Sequence, residues 1–282
     1  RMGKISMTGN LEGYVSSGSL YADIESTIDS FEVFGYNYQN IIVSGTLTER
    51  NFLGSFAVSD PNINLEFSGK ADFSGEHPEF AFTADVSRAR PYYLKIDRSD
   101  PSYFASFLLK TNFTANKPDD FNGEISLVNS LFSNSDQQIQ MYDFSLRACN
   151  NENTTDSLII RSDILDGEIH GSYKFSTLLQ SFKKLIGFYI PSVDMPEQTV
   201  AVQEENDFYY NLRFKNIHPF VVFFFKEFDF GNNATFNGHF NPSENNLTLN
   251  GECPYFSFKD HVLEDIQISA SGVEEEYGLR IN

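Results

Sequence analysis

Phe80-Ala-Phe-Thr-Ala-Asp-Val86, with Ile63-Asn-Leu-Glu-Phe67 shortly before it, puts an apolar side chain at every second position and mainly polar residues between. Alternation with period two is the mark of a β-strand with one dry and one wet face, because successive side chains leave a strand on opposite sides. The same pattern spreads outward in both directions: Leu20-x-Ala22-x-Ile24, Leu94-x-Ile96, Ile125-x-Leu127, Phe144-x-Leu146-x-Ala148, Leu158-x-Ile160, Leu247-x-Leu249, Phe256-x-Phe258 and Ile266-x-Ile268. Turn signals separate these runs, among them Asp60-Pro61-Asn62, Lys117-Pro118-Asp119-Asp120 and Asp166-Gly167. Hairpin following hairpin in an all-β, mostly antiparallel sheet is the simplest topology.

Two segments leave that pattern. From Lys174 to Ile190 the apolar positions Phe175, Leu178, Leu179, Phe182, Leu185, Ile186 and Tyr189 keep one helical face dry, with Ser176 as N-cap and Pro191 past the end. A second helix is expected from about His218 to Phe228, with Pro219 in its first turn and Gly231 beyond it, although Phe220-Val-Val-Phe-Phe-Phe225 also suits a buried strand. The polar, acidic stretch 191–206 reads as a linker. The chain therefore divides into a first β unit at 1–190, the linker, and a second unit at 207–282, truncated at its end.

Repetition is loose. Asp72-Phe-Ser-Gly75, Asp120-Phe-Asn-Gly123 and Thr235-Phe-Asn-Gly238 share an x-Phe-Ser/Asn-Gly element, read as a turn before a strand. Gln39-Asn-Ile-Ile-Val-Ser-Gly45, Tyr142-Asp-Phe-Ser-Leu-Arg-Ala148 and Glu264-Asp-Ile-Gln-Ile-Ser-Ala270 share an Asn or Asp ahead of an apolar strand start.

Composition narrows the function. The 282 residues include 29 Phe and 14 Tyr but no Trp, and 39 acidic residues against 20 basic ones give a formal charge of −19. That charge repels phosphate backbones, so no nucleic-acid partner is expected. No apolar stretch approaches the ~20 residues a helix needs to cross a bilayer; the longest is Pro219 to Phe225. The chain starts and stops inside strand-like patterns with no signal peptide, and is expected to be a piece of a longer protein.

The sequence carries no recognisable catalytic or metal-binding spacing. The densest polar cluster, Asp163, Asp166, Glu168 and His170, reads as a hairpin with its wet face outward. His77, His218, His239 and His261 lack ligand spacing, and Cys149 and Cys253 form neither a metal set nor a disulfide framework. Gly251-Glu-Cys-Pro254 reads as a turn, with no His placed by pattern to activate Cys253. No cofactor is implied and no enzyme is expected.

A sheet with one apolar face must cover it with a second sheet, with helices or with a ligand. Periodicity alone leaves two arrangements open: a β-sandwich, or a sheet that curls so that its inner face becomes an apolar groove. Candidate lining residues of that groove are Ile24, Val43, Ile63, Leu65, Phe67, Phe80, Phe82, Leu94, Ile125, Leu127, Phe144, Leu146, Leu158, Ile160, Leu247, Leu249, Phe256, Phe258, Ile266 and Ile268.

The order Phe121-Asn-Gly-Glu-Ile-Ser-Leu127, Ile139-Gln-Met-Tyr-Asp-Phe-Ser-Leu-Arg-Ala148 and Asp156-Ser-Leu-Ile-Ile-Arg-Ser-Asp-Ile-Leu-Asp-Gly-Glu-Ile-His-Gly171 precedes the helix ending in Tyr189-Ile-Pro191. It continues with Leu212-Arg-Phe-Lys-Asn-Ile-His-Pro219, Thr235-Phe-Asn-Gly-His-Phe240, Leu247-Thr-Leu-Asn-Gly251 and the strand at 264–270. This series resembles TamB, the large periplasmic subunit of the bacterial translocation and assembly module in its Bacteroidetes form, itself similar to AsmA-like proteins. It spans most of 105–282, with a weaker match before. The resemblance implies an elongated, curled β-taco segment in the periplasm, the parent protein being anchored in the inner membrane. It also implies phospholipid or another acyl-chain ligand as cargo, or help in outer-membrane protein assembly, and a BamA-like outer-membrane barrel as partner through regions outside this chain. The family has no catalytic residues to carry over. The alternative reading from the residues is an adhesin-like or glycan- or protein-binding β-sandwich of the cell envelope.

Overall fold

The computed structural model of this chain describes residues 2–16, 19–150, 156–178, 206–224, 228–244, 246–258, 261–273 and 276–281. The fold is all-β: antiparallel strands in an open, curled sheet, with short helical turns between some of them. Contacts group the chain into two units, the first made of 1–116 with 123–144 and the second of 117–122 with 145–282. This division differs from a boundary at 191–206. Most of that stretch lies outside the described residues, and Asn206 at its end is one of the most buried side chains. Its amide accepts from Lys174 N at 2.8 Å and donates to Thr177 Oγ1 at 3.0 Å.

In the first unit β1 (Met2–Ser16), β2 (Ser19–Val33), β3 (Tyr36–Thr48), β4 (Asn51–Asp60), β5 (Ile63–Asp72), β6 (Glu79–Ala89) and β7 (Phe104–Thr114) form a meander, each strand antiparallel to the next. β8 (Asn122–Ser133) and β9 (Gln138–Cys149) follow. Asp60 and Asn62 explain why the β4–β5 turn forms where it does. The Asp60 carboxylate, 2% exposed, takes the Tyr36 hydroxyl, Gln39 N at 3.1 Å and Asn62 N at 2.8 Å, so a buried charge ties β3 to the turn with its lone pairs satisfied.

The second unit continues with β10 (Ser157–Ser162), β11 (Leu165–Ser172), β12 (Asp207–Phe214), β13 (Phe228–Phe230), β14 (Thr235–Asn241), β15 (Asn246–Phe258), β16 (His261–Val273) and β17 (Glu276–Ile281). β12 pairs with β11 and β14, β15 pairs with β14 along residues 246–252 and with β13 along 256–258, and β16 and β17 complete the sheet.

Several local expectations are corrected. Leu94 and Ile96 are not in a strand: the segment between β6 and β7 is turn-like, held by Leu94 N to Arg90 O at 3.1 Å and Ile96 N to Pro91 O at 3.0 Å, and the preceding Pro91 removes a ladder donor. The turn between β10 and β11 falls at 163–164, where the Ser162 hydroxyl accepts from Leu165 N at 2.9 Å, so Asp166-Gly167 sits inside β11. Gly123 and Gly238 lie within β8 and β14, and only Gly75 occupies a bend between strands.

Gly251-Glu-Cys-Pro254 lies inside β15 instead of forming a turn. The helix at 218 is shorter than expected, His218–Phe224, and Phe228 already begins β13. Of the helix expected at 174–190, residues 175–178 are helical and 179–190 lie outside the described residues. Its start is capped by Asp119, which accepts from Ser176 N at 2.8 Å and Ser176 Oγ at 2.5 Å, so Ser176 sits in the first turn and is not the N-cap. The Ser176 hydroxyl holds the Asp119 carboxyl below its ordinary range against the opposing effect of burial.

Candidate functional site

Pairing register converts the alternating runs into rows. Across six strands of the first unit, Ile28, Ile41, Val58, Leu65, Val86 and Phe107 lie opposite one another in turn, on β2 through β7. A parallel row runs Ser26, Val43, Phe56, Phe67, Ala84 and Leu109, and another runs Ala22, Leu47, Phe52, Ala71, Phe80 and Phe113. Opposed residues share a face, so this side of the sheet is apolar over most of its area, while Asp23, Glu25, Ser44, Ser55, Glu66, Ser68, Thr83 and Asp85 occupy the other. The phenyl rings are in contact: Phe56 stacks on Phe67 at 4.5 Å, Phe67 meets Phe82 at 5.0 Å, and Phe80 meets Phe113 at 5.0 Å. Such pairs contribute about 0.5–1.5 kcal/mol each beyond area burial.

Most of these large side chains are half-buried, with full burial confined largely to smaller residues such as Ala22, Ala84 and Val86. One end of the face is covered. Leu94, 1% exposed, packs with Val86 and Ala89 against Tyr36, Tyr38, Ile63, Leu65 and Phe107. Of the sequence candidates, Ile24, Val43, Ile63, Leu65, Phe67, Phe80 and Phe82 lie on this face, whereas Leu94 is a plug laid over it. Ile125 and Leu127 continue at period two from Gly123, whose backbone lies against Phe113. Phe144 and Leu146, both half-buried on β9, fall on opposite sides of the division between the units.

The second unit repeats the arrangement. Leu158, Ile169, Tyr210, Gly238, Leu249 and Ala270 form one row, and Ile160, Gly167, Leu212, Phe236, Gly251 and Ile268 another. Ala234, Cys253 and Ile266 are buried at its centre, packed by Phe214, Phe230, Phe236, Phe256 and Ile268. Leu158, Ile160, Leu249, Phe256, Ile266 and Ile268 therefore belong to this face. Leu247 opposes Phe240, which stacks at 5.2 Å on Phe208, so it extends the same side; the side chain of Phe258 lies outside those described.

Sequence alternation missed Ile28, Ile41, Phe52, Phe56 and Val58, and in the second unit Phe208, Tyr210, Phe236 and Phe240. Phe52-x-Gly54-x-Phe56-x-Val58 is a period-two signal that could have found three of them. Phe208-x-Tyr210-x-Leu212 and Phe236-x-Gly238-x-Phe240 carry the same signal, and Ile28 continues the run from Ala22 and Ile24; Ile41 lies beside a phase break. Tyr36-x-Tyr38 and Ile41-x-Val43 are out of step by one residue, yet Tyr38 packs on the same cluster as Leu65, which shares its face with Val58 and hence Ile41. Asn40, between them, has a left-handed φ of 51°, and its amide donates to Ser59 O at 3.1 Å. The same happens on β15 and β16, where Cys253 and Phe256 share a cluster despite a spacing of three and Asp265 opposite the break has φ 50°. Asn and Asp visit this region more readily than other side-chain-bearing residues.

The polar groups form closed sets. At 161–170, Glu168 pairs with Arg161, His170 Nε2 lies 3.8 Å from Glu168, and Asp166 pairs with Lys215 at 2.8 Å. The Arg161 guanidinium lowers the Glu168 carboxyl, and Lys215 outweighs the effect of burial to lower that of Asp166. A set that sequence did not single out joins His218 and Asp229, 2.7 Å apart, to the Tyr255 hydroxyl, which donates to Asp229 and lies 2.7 Å from His218 Nδ1. Burial and the Asp229 carboxylate push Tyr255 up to about 12. These bonds fasten the start of the 218–224 helix to β13 and β15. Among the described residues no group of three or more His, Cys, Asp and Glu side chains could hold a metal ion, and Cys149 and Cys253 are free thiols.

Two depressions open on the polar sides of the sheets. One in the first unit, about 430 Å³, includes Ile42, Ser44, Ser55, Glu66, Ser68, Thr83, Asp85 and Leu108, and is also bordered by Phe56, Ala57 and Phe67. One in the second, about 370 Å³, includes Thr235, Asn237, Asn250, Glu252, Gln267 and Ser269. No protein-family model matches the chain, and neither a curated protein nor a solved structure is significantly similar to it.

Proposed function

We propose that this chain is a non-enzymatic, TamB-like periplasmic segment of an outer-membrane biogenesis protein, and that its apolar face takes up phospholipid acyl chains during transfer between inner and outer membranes. The observation that carries the reading is the continuous row Ile28–Ile41–Val58–Leu65–Val86–Phe107, flanked by the stacked Phe56, Phe67 and Phe82. Five inter-strand steps of about 4.8 Å make such a row about 24 Å long. One leaflet's acyl chains fill only about half of a ~30 Å hydrocarbon core, so a chain lying along the row finds apolar contact over its whole length. Each methylene moved from water onto that surface contributes about 0.8 kcal/mol, and half-buried phenyl rings leave area for it to cover. Assistance to apolar segments of outer-membrane proteins would draw on the same surface, and contact with a BamA-like barrel would involve regions outside this chain.

The test is lipid mass spectrometry on the purified chain together with binding of a fluorescent phospholipid. Phe56→Ser combined with Phe67→Ser is expected to reduce bound lipid at least severalfold, whereas Ile42→Ser combined with Leu53→Ser, on the other side of the sheet, leaves it unchanged. Absence of lipid from the wild-type chain in both assays overturns the proposal, as does equal loss in the two double variants.

A further inference from the structure

On the polar side of the second unit, the side opposite its apolar face, β11, β12, β14, β15 and β16 set out three aligned rows. They are His170–Tyr209–His239–Thr248–Ser271, Glu168–Asn211–Asn237–Asn250–Ser269 and Asp166–Arg213–Thr235–Glu252–Gln267. Asn237, Asn250 and Ser269 of the central row and Thr235, Glu252 and Gln267 of the third line the depression of about 370 Å³, with Gly251 and Ile268. That volume is at the low end of ligand clefts, about 300–1,000 Å³, so it suits a small ligand and not a protein surface. Apart from Gly251 and Ile268, its lining is amide and hydroxyl groups with a single carboxylate, Glu252, unlike an ordinary apolar ligand cleft.

On β12, one strand beyond this depression and diagonal to Asn237, stands an exposed aromatic. Tyr209 is 65% exposed, yet its ring is stacked on the His239 imidazole at 4.3 Å and 19°, and His239 Nε2 is held 2.6 Å from Asp207 Oδ1. A large ring kept in place by stacking while most of it remains in water is a platform with one apolar surface to offer. Asn211, Asn237, Glu252 and Gln267 make no side-chain hydrogen bond with other described residues, so their amide and carboxylate groups remain available. Asn250 Oδ1 accepts from Ser269 Oγ at 3.1 Å, which leaves its NH₂ to donate.

We propose that this face is a binding site for a neutral oligosaccharide. Sugar rings present an apolar C–H face and a rim of hydroxyls. The first matches the Tyr209 ring and the second matches a lattice of amides, which both donate and accept. Glu252 within the depression and the chain's charge of −19 select against sulfated or uronic-acid glycans. The site uses other residues than the acyl-chain surface and stands or falls independently of it.

Isothermal titration of the purified chain with chitohexaose, cellohexaose and maltoheptaose, supported by a neutral-glycan array, tests the site. At least one of these is expected to bind. Tyr209→Ala is expected to weaken binding tenfold or more, Tyr209→Phe to retain it within about twofold because the ring is kept, and Asn237→Ala combined with Gln267→Ala to weaken it severalfold. Circular dichroism of each variant confirms folding. Absence of binding to every neutral oligosaccharide by wild type overturns the proposal, and so does binding that survives both Tyr209→Ala and the double amide variant unchanged.

Discussion

At the scale of single residues, glycine has different meanings in different places. Gly171 has φ +134°, and a Cβ there would lie 2.3 Å from Asp207 O and 2.6 Å from Phe208 Cα on the neighbouring strand. Gly75, in its bend, meets nothing closer than 3.4 Å. Gly171→Ala is therefore expected to lower stability by about 1–3 kcal/mol or more, since a side chain both strains the backbone and pushes strands apart. Gly75→Ala is expected to stay within about 0.5 kcal/mol. Urea midpoints of the two variants decide this, and similar losses in both would contradict it.

Asp72 supplies a second residue-scale expectation. The Ser74 hydroxyl and amide, at 2.5 and 2.9 Å, followed by the Lys70 ammonium at 3.1 Å, pull its carboxyl from 3.8 down to about 2. A depressed folded-state value means that the ionised form is favoured by the fold. The stabilisation is present above 3.8 and is lost as pH falls from there toward about 2. Asp72→Asn is expected to remove this part of the acid sensitivity, so that its urea midpoint falls less steeply than wild type across that interval.

At the scale of elements, the segment between β6 and β7 shows how an alternating run can mislead. Leu94-x-Ile96 has the spacing of a strand, but Leu94 is 1% exposed while Ile96 is 73% exposed, and only the first has a partner surface. Leu94→Ala is expected to cost about 2–5 kcal/mol through lost burial and the cavity left over Val86 and Ala89. Ile96→Ala should cost no more than about 0.5 kcal/mol. Thermal melts of both read the contrast directly.

β15 makes the complementary point. A proline inside a run argues against a paired strand, yet Pro254 sits within one. The register explains it: Cys253 opposes Ile266 and Tyr255 opposes Glu264, while Pro254 and the left-handed Asp265 form no pair, so the missing N–H falls where the ladder is already broken. Asn40 plays the corresponding part on β3. The recurring Asn or Asp ahead of an apolar strand start is thus, in two of its three copies, the residue that absorbs a phase break; Asp143, in the third, is not left-handed.

At the scale of the whole molecule, each unit carries one apolar and one polar face, and the two proposed activities divide along that line. Acyl chains would use the phenylalanine rows, including Phe56 and Phe67 of the first unit, and oligosaccharide would use Tyr209 and the amides of the second. Tyr209→Ala is accordingly expected to leave phospholipid uptake unchanged, and the Phe56→Ser and Phe67→Ser double variant to leave oligosaccharide affinity unchanged. Loss of both activities in either variant would show that the surfaces do not act separately.

The amino-acid sequence by itself determined that this is an antiparallel β protein with one dry face, because side chains alternate with period two whatever lies across the strand. It also marked Ile63, Leu65, Phe67, Phe80 and Phe82 as members of that face. It did not reveal that Leu94 lies over the face, that Gly123 and Gly238 are strand interiors, or that Asp119 caps a helix 57 residues away. Nor did it bring Tyr209 beside His239 or His218 beside Asp229 and Tyr255. Those outcomes depend on register and on contacts between distant segments. A single left-handed asparagine or aspartate changes which side of the strand the following residues take while the pairing register is kept, and only the folded sheet shows which side that is.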